Sequence, residues 1–246
     1  MARRRRATGA GTAPEAPAHA GPPASRFEDR RAAGRELAVL LERFRDEQPL
    51  IAGMPRGGVP VAVEVADALG APLDIAVVRK LSAPRNPELA IGAVAEGGVR
   101  MLSGEAALAL ELAPEDVSVL LGRAEQELSD YIRRYRAAGN PARLDGRTVI
   151  LVDDGLATGF SAAAALRSLR RRGAKRLILA VPVAASASAH TVGGLADEVV
   201  AIETPENLGA VGYWYDRFAP TGDAEVREAL SRDRASGRQG PRRGVR

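Results

Sequence analysis

Five short apolar runs set the limits on what this chain can fold into: PLIAGM (49–54), LDIAVVRKL (73–81), GRTVILV (146–152), RLILAVPVA (176–184) and DEVVAIET (197–204). Each is nearly continuous in apolar residues rather than alternating, which is the pattern of a strand covered on both faces. Segments with helical spacing lie between them. VPVAVEVADALG closes at Gly70, an alanine-rich helix runs from Ser161 through Arg172, and residues 186–196 form a short helix. Strands that alternate with helices predict an α/β fold, a doubly wound, mainly parallel sheet flanked by helices. Further elements extend it. An amphipathic helix over 26–45 carries Phe27, Leu37, Leu40, Leu41 and Phe44, and a hairpin over 90–102 turns at Gly97-Gly98. An inserted long helix over 114–138 carries Leu120, Leu121, Leu128, Tyr131, Ile132 and Tyr135 as an apolar stripe. LSAPRNPE (81–88), punctuated by prolines, reads as a loop, and 223–231 as a last helix.

Charge separates the body from its ends. The whole chain carries a formal +4; residues 1–25 contribute +3 and residues 232–246 contribute +5, so the body at 26–231 is −4. A nucleic-acid-binding body needs a basic face and is disfavoured, leaving the tails as weak contacts for polyanions. The leader has four consecutive arginines, Arg3 to Arg6, but no apolar stretch after them, unlike a secretory signal. An organelle transit peptide is the alternative to a disordered basic leader over 1–25, and 232–246 reads as a disordered basic tail. No apolar run is long enough to span a membrane, and the default location is the cytoplasm. With no cysteine, disulfides and thiolate metal sites drop out. His19 and His190, the only histidines, stand in small-residue surroundings unsuited to a metal site or a triad.

In open parallel sheets ligands bind beyond the carboxyl ends of the strands, and the chain's unusual residues stand at those ends. The first run stops at Pro55-Arg56-Gly57-Gly58, the second at Arg79-Lys80, and the third at Asp153-Asp154 followed by Gly155-Leu156-Ala157-Thr158-Gly159-Phe160-Ser161. Asp-Gly is also a hairpin signal, but a helical pattern follows here instead of a strand. Thr158 is a candidate N-cap and Gly159 permits close approach. The amides of a helix start, with the Thr158 and Ser161 hydroxyls, suit a phosphomonoester. Two carboxylates beside that cradle would repel a phosphate; they suit hydroxyl groups or a share in a divalent cation. Arg56, Gly57 and Gly58 suit a second anion such as pyrophosphate. An ordinary glycine-rich turn at 55–58 and a solvated strand end at Arg79-Lys80 are the plainer alternatives.

The stretch VILVDDGLATGFS (149–161) resembles the signature of type I phosphoribosyltransferases for 5-phosphoribosyl 1-diphosphate (PRPP). PRGG resembles the pyrophosphate loop of that family, and VRK its cationic strand end. The resemblance covers about residues 26–231 and is nearest to a bacterial subgroup of broadly annotated phosphoribosyltransferases. It implies the type I phosphoribosyltransferase fold with a small hood, here about 204–220. It also implies transfer of a phosphoribosyl group from PRPP to a nitrogenous acceptor with release of pyrophosphate. Mg²⁺ is implied as cofactor, held mainly by PRPP and open to Asp153 and Asp154. Those two carboxylates would hold the ribose hydroxyls, Ala157–Ser161 the 5′-phosphate, and Arg56, Gly57, Gly58, Arg79 and Lys80 the departing pyrophosphate. Arg85 and Asn86 would belong to the flexible loop that excludes water.

Two positions depart from the oxopurine-salvage pattern: Ala157 stands where a carboxylate is usual and Ile202 where a lysine is; Gly155 stands where the family at large has an aliphatic residue, a departure that bears on the turn geometry. Oxopurine salvage is therefore disfavoured and the acceptor stays open. Tyr213, Trp214 and Tyr215, with Asp216, resemble a base-stacking hood; packing of a C-terminal flap is the alternative. A PRPP- or nucleotide-sensing regulator that touches nucleic acid through the tails is the competing function. A PRPP-forming diphosphokinase is weaker, because no ATP-phosphate loop accompanies the signature. The homodimer question stays open.

Overall fold

A computed structural model describes residues 26–84, 86–136 and 141–238. Two sheets organise it. The larger has five strands in the order β2-β1-β6-β7-β8, formed by β1 (Leu50–Gly53), β2 (Leu73–Ile75), β6 (Thr148–Val152), β7 (Arg176–Val183) and β8 (Glu198–Glu203), all pairs parallel. The smaller is an antiparallel meander of β3 (Val78–Ala83), β4 (Asn86–Ala95) and β5 (Val99–Leu102).

The apolar runs behave as buried strands do. Along β6, Ile150 and Val152 face one layer and Val149 and Leu151 the other, all fully buried. The first layer packs under helices α1 (Arg30–Leu41), α2 (Gly58–Leu69), α4 (Pro114–Arg136) and α7 (Asp223–Ala235). The second packs under α5 (Phe160–Arg171) and α6 (Ser186–Gly193), and its alanines let α5 sit close to the sheet. A short α3 (Gly104–Ala109), capped by Ser103 Oγ accepting from the Ala106 amide, joins β5 to α4.

Three elements differ from the sequence expectation. The run 73–81 is two strands, because β1 stops at Gly53 opposite Ile75 and the chain then leaves for the second sheet. The expected loop 81–88 is largely strand, the end of β3 and the start of β4. Register shifts between Leu81 and Ala83 take up the irregular pairing near the prolines. The last helix continues to Ala235, where Arg232 and Arg238 donate to Asp67 at 2.6 and 2.7 Å. The expected leader 1–25, Arg85 and residues 239–246 lie outside the described residues. No helix among the described residues is long and apolar enough to cross a membrane.

A candidate donor-binding site at the carboxyl edge of the parallel sheet

Neighbouring strands β1 and β6 end side by side, so the loops that follow them meet. The Met54 amide donates to Val152 O at 2.8 Å, fixing the start of the Pro55–Gly57 turn against the end of β6. The two glycines there are required by proximity. A methyl group at Gly58 would lie 2.6 Å from Val152 O, and one at Gly57 would run into the Asp154 carboxylate. The Pro55–Arg56 peptide is cis. Arg56 projects outward, exposed, with its NH1 3.8 Å from Asp223 Oδ1.

Asp153 and Asp154 occupy the first two positions after β6. Burial raises the Asp153 carboxyl well above the usual carboxylate range, and the Asp154 charge adds to the shift. Burial also raises Asp154, against a strong opposing pull from Arg30. Arg30 Nε donates to Asp154 Oδ2 at 2.7 Å, and Arg30 NH1 donates to Ala219 O at 2.7 Å. Its guanidinium lies 3.8 Å over the Phe218 ring, which stacks on Tyr215, which in turn meets Phe27. Charge in the pair is thus uneven. Asp154 is the ion-paired carboxylate, and Asp153 is the one that holds a proton more readily.

Beyond the pair, Leu156 is buried and ties the loop down. Its amide donates to Val183 O at 2.8 Å, and its carbonyl accepts from the Ala185 amide at 2.8 Å. Ala157 and Thr158 are exposed, and Ser188 Oγ donates to Ala157 O. Among the described residues no acceptor meets the amides of Ala157, Thr158 or Gly159. Gly159, at φ +78°, is the N-cap of α5 and carries no side-chain cap, so Thr158 does not cap the helix as expected. Phe160 turns to the second sheet, against a cluster containing Ala93, Ala95 and Val99, and Ser161 is half-buried in the first turn.

Gly155 has a local explanation. A methyl group there would sit 2.5 Å from Val211 Cγ1, in the 3₁₀ turn Val211–Trp214 that folds over the loop. The C-terminal segment is anchored rather than free-standing. The Phe27 amide donates to Trp214 O, the Asp216 amide to Phe27 O, and Tyr215 OH to Asp154 O. Trp214 is buried with its indole N–H on Leu208 O, and Tyr215 is buried too. These two are core, which corrects their assignment as stacking platforms. Tyr213, 55% exposed, is left on the surface, and Asp216 lies 3.7 Å from Arg26.

The cationic strand end does not reach this rim as expected. Arg79 and Lys80 stand on β3, in the second sheet. Arg79 donates to Glu127 of α4 and lies 4.7 Å over the Tyr131 ring. Lys80 is exposed, as is Asn86 at the start of β4. Two cavities of about 300 and 260 Å³ lie elsewhere, one beside Arg100, Arg167, Arg170 and Arg171 and one under the β4–β5 turn. Sequence reasoning missed Arg30. Its one signal is a cation at the first turn of a helix, where the dipole disfavours it unless an acid compensates.

The chain resembles known proteins over most of its length. The phosphoribosyl transferase domain family matches residues 24–217. The chain belongs to that family. Proteins from two Mycobacterium tuberculosis strains, provisionally named phosphoribosyl transferase, are 42% identical over 206 residues, 84% of this chain. The chain spans about half the length of these curated relatives, 46%. A uracil phosphoribosyltransferase of Lactobacillus gasseri is 40% identical over 85 residues, 34% of this chain and 41% of its own length. The crystal structure of TT1426 from Thermus thermophilus superposes with a TM-score of 0.70 at 42% identity, covering 84% of this chain and 98% of that one.

No group of three or more acidic or histidine side chains placed to hold a metal exists among the described residues. Asp154 is engaged by Arg30, and Asp153 holds a proton more readily, so neither carboxylate offers a free charge to a cation. The donor set therefore fits a Mg²⁺ ion that arrives on phosphate oxygens, not one caged by the protein.

Proposed function

We propose that this chain transfers a phosphoribosyl group from PRPP to a nitrogenous acceptor and releases pyrophosphate. The observation that carries the reading is the unequal pair Asp153 and Asp154, wedged between the Gly57-Gly58 turn and the amides of Ala157–Gly159, which meet no acceptor among the described residues. A sugar phosphate presents a vicinal diol beside a phosphomonoester, which is the order of these groups along the rim.

Residue roles follow from charge and position. Asp154, ion-paired to Arg30, accepts from one ribose hydroxyl. Asp153, whose proton is held by burial, can donate to the neighbouring oxygen as well as accept, so one shared proton suits two hydroxyls. The amides of Ala157, Thr158 and Gly159 and the Ser161 hydroxyl hold the 5′-phosphate, with Leu156 fixing the loop. Arg56 and the Gly57 amide face the pyrophosphate, and Gly58, whose amide donates to Met54 O, lets the turn lie close against Asp153. The C1′–O bond to pyrophosphate breaks with its electron pair leaving on oxygen, the acceptor nitrogen bonds to C1′, and the acceptor releases a proton. Guanidinium charge at Arg56 stabilises the departing anion as it forms. Bound Mg²⁺ supplies neutralisation of the pyrophosphate charge. Tyr213 and Asp216, at the surface of the C-terminal segment, are the groups offered to an acceptor base, and Ala157 and Ile202 provide no charge to it.

Pyrophosphate release from PRPP and Mg²⁺ across a panel of nucleobases and amines tests this. Release with at least one acceptor, lost in Asp153→Asn/Asp154→Asn, is expected. No release with any acceptor, from a chain that also fails to bind PRPP, would overturn it.

A further inference from the structure

The long helix α4 has a face the donor site has so far left unused. Glu127, Tyr131 and Arg134 fall at i, i+4 and i+7, one stripe of the helix, with Tyr135 beside them. That stripe connects two separated cations. On one side Arg79 donates to Glu127 and lies over the Tyr131 ring. On the other, Arg134 lies 5.3 Å over the same ring and donates to Asp223 at the start of α7. Asp223 also accepts from Tyr135 OH at 2.7 Å and faces Arg56 NH1 at 3.8 Å. Burial alone would raise the Asp223 carboxyl, but the Tyr135 hydroxyl and the Arg134 guanidinium outweigh it and hold it below its usual range. Arg79, Arg134 and Arg56 thus form a row held in place by Tyr131 and Asp223.

We infer that Arg134 is a further binding residue for the pyrophosphate end of the donor, a guanidinium brought beside Arg56 by the inserted helix. The assignment rests on the PRPP reading above. Three features support it. Arg134 is 44% exposed in its side chain and shares its counter-ion with Arg56, the arginine of the pyrophosphate turn. A single carboxylate between two guanidiniums leaves net positive charge for an incoming anion. Tyr131 and Asp223 hold the Arg134 head, so little rotamer freedom remains to be lost when a ligand binds.

Calorimetric titration of the intact chain with inorganic pyrophosphate, PRPP and ribose 5-phosphate tests the inference, using Arg134→Ala, Arg134→Lys and a control. Arg133→Ala is the control: it removes the same charge one residue away, from an exposed guanidinium paired within α4 to Ser129 and Asp130. Arg134→Ala is expected to weaken pyrophosphate and PRPP about tenfold and to leave ribose 5-phosphate unchanged. Arg134→Lys should recover part of the loss, and Arg133→Ala should bind all three as the parent does. Equal affinities for pyrophosphate in Arg134→Ala and Arg133→Ala would overturn the assignment, as would a parallel loss of ribose 5-phosphate. A parent chain that binds pyrophosphate but not PRPP would overturn the functional reading, while the pyrophosphate titrations would still judge Arg134.

Discussion

A carboxyl buried against another carboxyl is destabilising at neutral pH, and Asp153 carries that burden. Its folded pKa is raised, so the native state binds the proton more tightly than the unfolded chain does. The stability associated with this group is therefore full below the unfolded carboxylate range and falls as pH rises through the folded pKa. Asp153→Asn cannot ionise, and its Oδ1 can still accept from the Asp154 amide as Asp153 Oδ1 does at 2.9 Å. Chemical denaturation should find this variant more stable than the parent at pH 7 by about 1 kcal/mol. The gain should vanish near pH 4, and a loss of stability at pH 7 would contradict the account of the pair. The pair itself was legible in the sequence, because charge at the end of a continuous apolar run has few plain explanations. Its asymmetry was not: Arg30 stands 124 residues away, and no pattern joins the two.

Elements and their ends behave less uniformly. Loops after β1 and β6 were readable, since glycines beside charged residues mark a close approach of backbone. Gly155 was readable only as a departure, and its cause is Val211, delivered by the 3₁₀ turn that covers the loop. Gly155→Ala should cost about 1–3 kcal/mol by overpacking, measured by urea unfolding. Adding Val211→Ala should restore most of that stability, and an additive loss in the double variant would mean that the contact is not the cause. By contrast, LDIAVVRKL contains no glycine or proline to announce that the chain changes sheets after Ile75. Apolar continuity alone therefore puts Arg79 and Lys80 at the edge of the parallel sheet, whereas they stand on β3 of the second sheet. Prolines in 81–88 hid strand residues, because a hairpin with shifted register tolerates them where a regular ladder would not. The long helix showed its apolar stripe plainly, yet the same stripe carries the polar row Glu127, Tyr131 and Arg134, which apolar periodicity does not reveal.

At the scale of the whole molecule, one buried ionic network ties the two sheets together. Arg136, at the end of α4, donates to Asp74 of β2 and to Glu96 after β4, and Arg172 also donates to Glu96. Asp74 accepts in addition from the Ile75 and Ala142 amides. Removing one partner strands buried charge, so Arg136→Ala should cost about 3–5 kcal/mol and shift the denaturation midpoint with little dependence on salt. A change within about 0.5 kcal/mol would show that the network is dispensable. Fold class was legible because strand burial and alternation with helices are local properties. This network was not, since its members come from separate elements and their charges look solvated in sequence. The loops after β1 and β6 and the covering segment meet at one rim, and PRPP is the ligand proposed for it. Thermal unfolding with and without PRPP and Mg²⁺ tests that proposal most directly. At a hundredfold excess over Kd, ligand binding stabilises by about 2.7 kcal/mol, a rise in Tm of about 5–10 °C for a chain this long. That rise is expected in the parent and is expected to be absent in Asp153→Asn/Asp154→Asn. An unchanged Tm in the parent, or an equal rise in the double variant, would contradict it.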